Sequence, residues 1–163
     1  MIHFDTDYMA GAHPLVLKHL VDTNAEQTTG YGTDAYTAHA RELVKEACGT
    51  PDARVYFLVG GTQTNATVID GVLDRHEGVL AAESGHINVH ETGSVEATGH
   101  KVVALPSPDG KITAEQVAQF GKAQKENGDR EHMVHVKMVY ISNPTELGTL
   151  YSLEELEAIA SAC

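Results

Sequence analysis

The sequence predicts an α/β fold in which a mostly parallel sheet is flanked by helices. After residue 50, short runs rich in β-branched and apolar residues alternate with longer segments whose apolar residues have helical spacing. Two of these helical segments open with the spacing of a capping box, Thr113 with Gln116 and Ser152 with Glu155. A chain of 163 residues is long enough to bury a sizeable core around such a sheet.

The first 50 residues are predicted to hold two helices joined by a polar loop. Residues 13–23 carry apolar side chains at helical spacing, and Pro14 suits a first helical turn. Residues 34–48 form the second predicted helix, with Asp34 as a good N-cap and Gly49 as a good stop.

From residue 51 onward, strands and helices are expected to alternate. The predicted strands cover residues 54–59, 78–82, 101–105 and 137–141. The predicted helices cover residues 62–73, 87–97 and 113–125, and a last one begins at Ser152. A parallel sheet would normally continue with a strand after that helix, so we expect a further C-terminal portion.

The charge and hydropathy of the chain argue against two classes of partner. The formal net charge is −12, from 11 basic and 23 acidic residues, and this disfavours nucleic acid and anionic membrane surfaces. No apolar run approaches the roughly 18 residues that span a bilayer. The N-terminus lacks the basic and apolar regions of a signal peptide. We therefore expect a soluble, cytoplasmic protein.

A glycine turn follows the first predicted strand, in the stretch FLVGGTQTN from Phe57 to Asn65. Ligands of open α/β sheets bind at the carboxyl ends of the strands. The backbone N–H groups of such a turn can approach an anion, and the following helix N-terminus favours negative charge. The stretch therefore suggests a phosphate site, although it matches neither the P-loop nor GxGxxG. The alternative is an ordinary strand–helix turn with Thr62 as the N-cap.

His86 follows the next predicted strand, in the stretch AAESGHINVHETG. A planar imidazole at that position could stack on a flat ligand. His86 and His90 also have a metal-ligand spacing, but the HExxH order is absent and no cysteine lies nearby, so a metal is the less favoured interpretation. The neighbouring acids are interpreted as surface or capping charges rather than catalytic acids: Glu83, Glu91 and Glu96.

Two further polar clusters lie in a loop and after the last predicted strand, and the second would face the same edge of the sheet. Tyr31 lies between two glycines in a loop that is costly to order, and such loops often carry function. Ser142, Asn143 and Thr145 follow the last predicted strand. Each cluster alone is compatible with a plain turn, but the four clusters together indicate a ligand site.

In order along the chain, these stretches resemble the threonine aldolase and β-eliminating lyase family, which consists of pyridoxal-phosphate (PLP) enzymes with an aspartate-aminotransferase-like fold. The resemblance is carried by DTDYMAGAHP, YGTD, FLVGGTQTN, ESGHINVHETGSVEATGHKVV, DGKITAEQV and ISNPTELGTLYSLEEL. It implies the N-terminal part of the large domain of such a fold. Residues 1–50 would be an N-terminal helical segment with an active-site loop, and residues 51–163 the α/β part of the PLP-binding domain, incomplete at its C-terminus.

The resemblance also implies roles for individual residues. Gly61 and Thr62 match the phosphate-binding pair, with Gly60 and Gln63 on either side. His86 matches the catalytic histidine that stacks on the pyridine ring and assists proton transfer at the substrate hydroxyl. The residues matched to substrate contacts are Thr6, for the carboxylate, and Tyr31, at the rim of the site.

The implied activity is that of a low-specificity L-threonine aldolase, which cleaves β-hydroxy-α-amino acids such as threonine or allo-threonine to glycine and an aldehyde. No lysine of this chain lies in the context of the family's Schiff-base lysine, so we expect the 163-residue chain alone to be inactive. Two alternatives stay open: β-elimination on the same scaffold, and a catalytically dead binding or assembly module. A nucleotide-binding α/β domain is disfavoured because its fingerprints are absent.

The expected partners are a small amino-acid substrate and further copies of the chain. The family implies a homo-oligomer, a dimer or a tetramer, with active sites built between subunits. A partly built sheet would also expose apolar edges and faces that need a partner. Neither nucleic acid, a membrane nor a metal is expected.

Overall fold

The computed structural model describes residues 3, 6 and 8–163, which fall into two compact units, Met1–Phe57 and Leu58–Cys163. The division that we expect after residue 50 stays a prediction. No helix among these residues has the length and apolarity to cross a membrane.

The first unit contains the two helices that the sequence predicts, α1 (Pro14–Thr23) and α2 (Ala35–Cys48). Asp34 caps α2, because its carboxylate accepts the backbone N–H of Thr37 at 2.8 Å. Gly49 ends α2 in the left-handed conformation, with φ of 63°.

The second unit is an α/β layer structure around a three-stranded parallel sheet in the order β2-β1-β3. The strands are β1 (Glu77–Ala82), β2 (Lys101–Leu105) and β3 (His135–Val139). The helices are α3 (Gly61–Val72), the short α4 (His86–Val89) and α5 (Ser94–Ala97), α6 (Ala114–Glu126) and α7 (Leu153–Ala162), with a 3-10 turn at Arg130–His132. The predicted fold class is confirmed.

The core lies on both faces of the central strand, because side chains alternate along a strand. Val79 and Ala81 of β1 pack with Ile69 of α3 and with the short helices α4 and α5. Leu80 and Ala82 point to the other face, where they pack against α6 and its preceding loop. Since β1 is covered on both faces, its run of buried residues is continuous rather than alternating.

Most of the predicted elements of the second unit are present. Both capping boxes are formed, at Thr113 with Gln116 and at Ser152 with Glu155. The last strand begins and ends two residues before its predicted range, and the ladder continues for one more bond, from the Tyr140 N–H to the Leu80 carbonyl at 2.8 Å.

Two predicted elements are wrong. Residues 54–59 pair with no strand in the part of the chain that the structure describes, so this segment is not a strand there. The Val55 carbonyl instead accepts Arg41 Nε–H at 3.1 Å. Residues 87–97 form two single-turn helices rather than one, because Thr92 and Gly93 adopt φ of 53° and 74°, which no α-helix accommodates.

Candidate active site

The polar clusters of the second unit meet at the carboxyl end of the sheet. His86 opens α4 just beyond β1, and Ser142 lies just beyond β3. A hydrogen bond of 2.6 Å from Asn65 Nδ2 of α3 to Glu91 Oε1 brings the first half of α3 to the same place. The expectation that these segments share one edge is therefore correct for the second unit.

The glycine turn opens α3 without a side-chain cap. Gly60 is the N-cap residue and accepts the Thr64 N–H and hydroxyl through its carbonyl, both at 2.9 Å. The interpretation of Thr62 as the N-cap is therefore wrong, since Thr62 lies inside the helix. No side-chain oxygen of the N-cap residue satisfies the first N–H groups of α3.

The turn also leaves open space beside its backbone. A Cβ added to Gly60 or Gly61 would meet no heavy atom within 4 Å. Gln63 points its side chain back to the turn, where Oε1 accepts the Val59 N–H at 3.0 Å. An uncapped helix start beside open space suits an anionic group such as a phosphate.

His86 is held by a buried carboxylate. Its Nδ1 lies 2.7 Å from Glu91 Oε1, the imidazole is 38% exposed, and the Glu91 side chain is fully buried. An ionised carboxylate only accepts hydrogen bonds, so Nδ1 carries the hydrogen in this pair. The other ring nitrogen, Nε2, is thereby left as an acceptor when the imidazole is neutral.

Glu91 is stabilised in its ionised form by three donors. Burial by itself raises the pKa of Glu91, but hydrogen bonds from Asn65, His86 and Ser94 together hold that pKa below its ordinary value of 4.5. Ser94 contributes its hydroxyl, which donates to Oε2 at 2.9 Å. The carboxylate is thus a permanent acceptor at neutral pH.

The interpretation of Glu91 as a surface or capping charge is wrong. Glu91 is 3% exposed, whereas Glu83 and Glu96 are exposed as expected. The left-handed pair Thr92 and Gly93 turns the chain directly after Glu91 and interrupts the helical pattern. That interruption, a Thr-Gly pair inside an apolar helical stretch, is the one signal in the sequence that could have indicated an inward-facing acid.

Asn65 extends the polar network toward β3. Its Nδ2 is 3.5 Å from the Tyr140 hydroxyl, which also accepts the Ser142 hydroxyl at 3.3 Å. Nothing in the sequence places Tyr140 near α3, because the two residues are 75 positions apart.

The predicted substrate-contact residues belong to the first unit. Thr6 is exposed and outside any helix or strand. Tyr31 is fully exposed and has φ of 62°, which is strained for a residue with a side chain. Arg41 holds this loop by donating from Nη1 to the Gly32 carbonyl at 3.0 Å. The roles of Thr6 and Tyr31 stay predictions.

The residues of the second unit fit a ligand that has a phosphate and a flat ring. The uncapped turn offers N–H groups and open space, and the half-exposed imidazole offers a face. Ser84 Oγ, two residues before His86, is buried without a hydrogen-bond partner among the described residues and so adds a free polar atom at this edge. His90 is a neighbour of His86, with ring centroids 5.6 Å apart.

Comparisons with known proteins match almost the whole length of the chain. A family model described as β-eliminating lyase matches residues 4–163. The chain is 25% identical over 162 residues to a low specificity L-threonine aldolase of Pseudomonas aeruginosa, a match that covers 98% of this chain and 45% of that protein. A second low specificity L-threonine aldolase, from another Pseudomonas strain, is 26% identical over 98% of this chain and 45% of its own length.

A solved threonine aldolase structure from Leishmania major is similar to this chain with a TM-score of 0.88 and 48% sequence identity. This match covers 96% of the present chain and 45% of the Leishmania chain. A more distant match is a cysteine desulfurase of Methanosarcina thermophila, 23% identical over 74% of this chain. The chain spans about half the length of the threonine aldolases that it matches.

Proposed function

We propose that this chain, which belongs to the β-eliminating lyase family, is part of a PLP-dependent aldehyde-lyase of the threonine aldolase type. The substrates would be β-hydroxy-α-amino acids such as threonine and allo-threonine, and the products glycine and an aldehyde. The observation that carries the proposal is the joint presence of an uncapped glycine turn and a carboxylate-held imidazole on connected elements, α3 and α4.

The proposed division of labour follows from the chemistry of each group. Gly61 and Thr62, with Gly60 and Gln63 beside them, would hold the cofactor phosphate at the start of α3. PLP, when bound, supplies the electron sink for the bond that breaks. The residues proposed to contact the substrate are Thr6, for its carboxylate, and Tyr31, at the rim of the site.

His86 is proposed to do two things in this reaction. Its ring face would lie against the cofactor ring, and its Nε2 would take the proton of the substrate hydroxyl as the bond between Cα and Cβ breaks. A neutral Nε2 is available for that proton because Glu91 keeps the other hydrogen on Nδ1.

The experiment that tests this proposal measures aldehyde release from threonine and allo-threonine by the intact PLP-loaded protein. We expect the His86→Gln variant to lose about 10²- to 10⁴-fold in kcat, the range typical of a general base. His90→Gln is the matched control, since it changes the neighbouring imidazole and should leave kcat unchanged. Equal losses in both variants would contradict the role of His86.

A second candidate reaction is β-elimination on the same scaffold, which the description of the matching family favours. β-Chloroalanine and threonine distinguish the two reactions. Elimination releases pyruvate, ammonia and chloride from β-chloroalanine, whereas aldol cleavage releases glycine and acetaldehyde from threonine. Pyruvate formation that exceeds aldehyde formation would favour elimination.

A third candidate is a catalytically dead binding or assembly module, since no lysine of this chain matches the family's Schiff-base lysine. We expect the 163-residue polypeptide alone to show negligible turnover. Intact-mass spectrometry after PLP addition and borohydride reduction distinguishes the lyase from the catalytically dead module. A reduced adduct on a longer polypeptide supports the lyase, whereas threonine cleavage by the 163-residue polypeptide alone would contradict its expected inactivity.

We also infer that the active protein is a homo-oligomer, a dimer or a tetramer, that acts in the cytoplasm. The support for association is the exposed apolar surface of α1, which includes Leu17, Leu20 and Val21.

A further inference from the structure

Asn65 ends the glycine-turn motif, and the proposed function leaves it without a role. It lies one turn into α3, and its amide points at Glu91 rather than at the start of the helix. Two donors therefore converge on one carboxylate oxygen: Asn65 Nδ2 at 2.6 Å and His86 Nδ1 at 2.7 Å from Glu91 Oε1.

The two donors are not equivalent, because an amide N–H cannot change its role whereas an imidazole nitrogen can. Asn65 Nδ2 is always a donor, so Glu91 Oε1 must be an acceptor toward it. A protonated carboxyl oxygen is a weaker acceptor than an ionised one, so the bond from the Asn65 amide favours the ionised carboxylate. The Asn65 amide thus disfavours the one arrangement in which Glu91 could donate to His86 Nδ1.

We propose that Asn65 is a positioning residue that determines which nitrogen of His86 carries the hydrogen. By donating to Glu91 Oε1, Asn65 keeps that oxygen an acceptor, so the hydrogen of His86 stays on Nδ1 and Nε2 faces the ligand as a bare acceptor. This inference rests on the proposed role of His86, and it gives the last residue of the glycine-turn motif a function.

The Tyr140 and Ser142 hydroxyls hold the amide in place. Asn65 Nδ2 has two hydrogens, and the second points toward the Tyr140 hydroxyl at 3.5 Å. That hydroxyl also accepts the Ser142 hydroxyl at 3.3 Å, which ties the network to the end of β3. The titratable groups around the carboxylate are thus His86 directly and Tyr140 through Asn65, with His90 beside the His86 ring.

The experiment reads the tautomer of His86 directly. The ¹⁵N chemical shifts of the two ring nitrogens, in ¹⁵N-histidine-labelled intact protein at neutral pH, distinguish a protonated from an unprotonated nitrogen. The His86 signals are assigned by their loss in His86→Gln. In the wild-type protein we expect a protonated Nδ1 and an unprotonated Nε2.

The Asn65→Ala variant should lose the preference for a protonated Nδ1. Its ¹⁵N signals should shift toward those of a free imidazole, which is a mixture of the two tautomers. Its kcat/KM for threonine should fall by about 10- to 100-fold, as is typical when a group that orients a site histidine is removed. Asn88→Ala is the matched control, because Asn88 Nδ2 donates to the Glu83 carbonyl at 2.8 Å on the same short helix and does not reach Glu91. It should change neither the shifts nor kcat/KM.

Two results would overturn the proposal. One is the finding that His86 of the wild-type protein carries its hydrogen on Nε2. This measurement does not depend on whether any variant folds. The other is an Asn65→Ala protein, shown to be folded by its circular dichroism, whose His86 shifts equal those of the wild type. Failure of the proposed lyase function can be distinguished from both results. In that case no aldehyde is released from threonine, while the ¹⁵N shifts still show the hydrogen on Nδ1 in the wild type and its loss of preference in Asn65→Ala.

Discussion

Glu91 is a buried carboxylate whose donors come from three helices. Asn65 lies on α3, His86 opens α4 and Ser94 opens α5. Burying a charge is costly unless it is hydrogen-bonded, so these three contacts stabilise the carboxylate in its buried position. Glu91 therefore joins the packing of α3, α4 and α5 to the orientation of the candidate catalytic imidazole.

The stability of the protein should depend on pH through Glu91. Because the pKa of Glu91 is lowered on folding, its ionised form stabilises the folded state above the ordinary value of 4.5, and this contribution is lost as the pH falls through the folded pKa. Glu91→Gln should lose about 1.5–3 kcal/mol of unfolding free energy at pH 7, since it removes hydrogen bonds to a charged group.

The measurement is urea unfolding of both proteins between pH 3 and pH 7, with the difference in unfolding free energy expected to shrink below about pH 4.5. Glu96→Gln is the control, because Glu96 is exposed in the same segment. A difference between wild type and Glu91→Gln that is constant with pH would refute the assignment.

Among the secondary-structure elements, β1 depends on a close approach to β2 and to the residue just before β3. Gly78 is buried, and a Cβ at this position would lie 2.7 Å from the Lys101 carbonyl oxygen and 2.7 Å from Val134 Cγ1. The register between β1 and β3 also shifts between Gly78 and Val79. Glycine is therefore required here by space rather than by backbone angle.

Gly78→Ala should destabilise the protein by about 1–3 kcal/mol, because the added methyl group must displace backbone of β2. Gly71→Ala provides the contrast, since Gly71 is exposed in α3 with no atom within 4 Å of its added Cβ. That change should stabilise the protein by up to about 1 kcal/mol through helix propensity. Thermal unfolding of the two variants measures both effects, and equal shifts would contradict the steric argument.

In the first unit, Arg41 of α2 joins the Tyr31 loop to the segment before the glycine turn. Its guanidinium donates to the Gly32 carbonyl at 3.0 Å and to the Val55 carbonyl at 3.1 Å. Two rigidly spaced donors suit this bridge, and a single ammonium group would not reproduce them.

Arg41→Lys should therefore loosen the Tyr31 loop. We expect deuterium uptake by peptides covering residues 28–34 to accelerate about tenfold, the effect of losing one hydrogen bond to a charged group. Lys45→Gln, which removes only an ion pair with Glu42 on the same helix, should leave this uptake unchanged. Identical uptake in the wild type and Arg41→Lys would show that Arg41 does not order the loop.

At the scale of the molecule, two helices of the first unit expose apolar side chains and have no buried residue. Neither α1 nor α2 contains one, and Leu17, Leu20 and Val21 of α1 are 55%, 60% and 68% exposed. Their spacing of three and four residues places them on one face of the helix. A face of this kind is expected to pack against another surface in the active protein.

Leu20→Glu should weaken association of the intact protein by about tenfold or more, because burial of a leucine side chain contributes about 1.5–3 kcal/mol. Multi-angle light scattering across a concentration series measures the change. His19→Glu introduces the same residue on the other side of α1 and should have little effect. Unchanged association in Leu20→Glu would exclude this face from the interface.

The sequence by itself determined the features that depend on neighbours along the chain. The helix ends at Asp34, Thr113 and Ser152 could be predicted because a cap bonds to a backbone group three residues away. The position of His86 beyond β1 follows from a short strand pattern in the same way, and the glycines at 60 and 61 mark the start of α3 although the strand expected before them is absent among the described residues. The order of helices and strands then indicated the α/β class, and the whole set of stretches indicated the family.

Only the tertiary structure decided the contacts between distant residues. Asn65 and Glu91 are 26 positions apart, and Asn65 and Tyr140 are 75 apart, so no local pattern records that they meet. The same holds for residues 54–59, whose composition suits a strand but which have no partner ladder in the described chain. Burial and pairing depend on which surfaces pack together. For this reason Glu91, an acidic residue of the kind usually found at the surface, is the buried partner of His86.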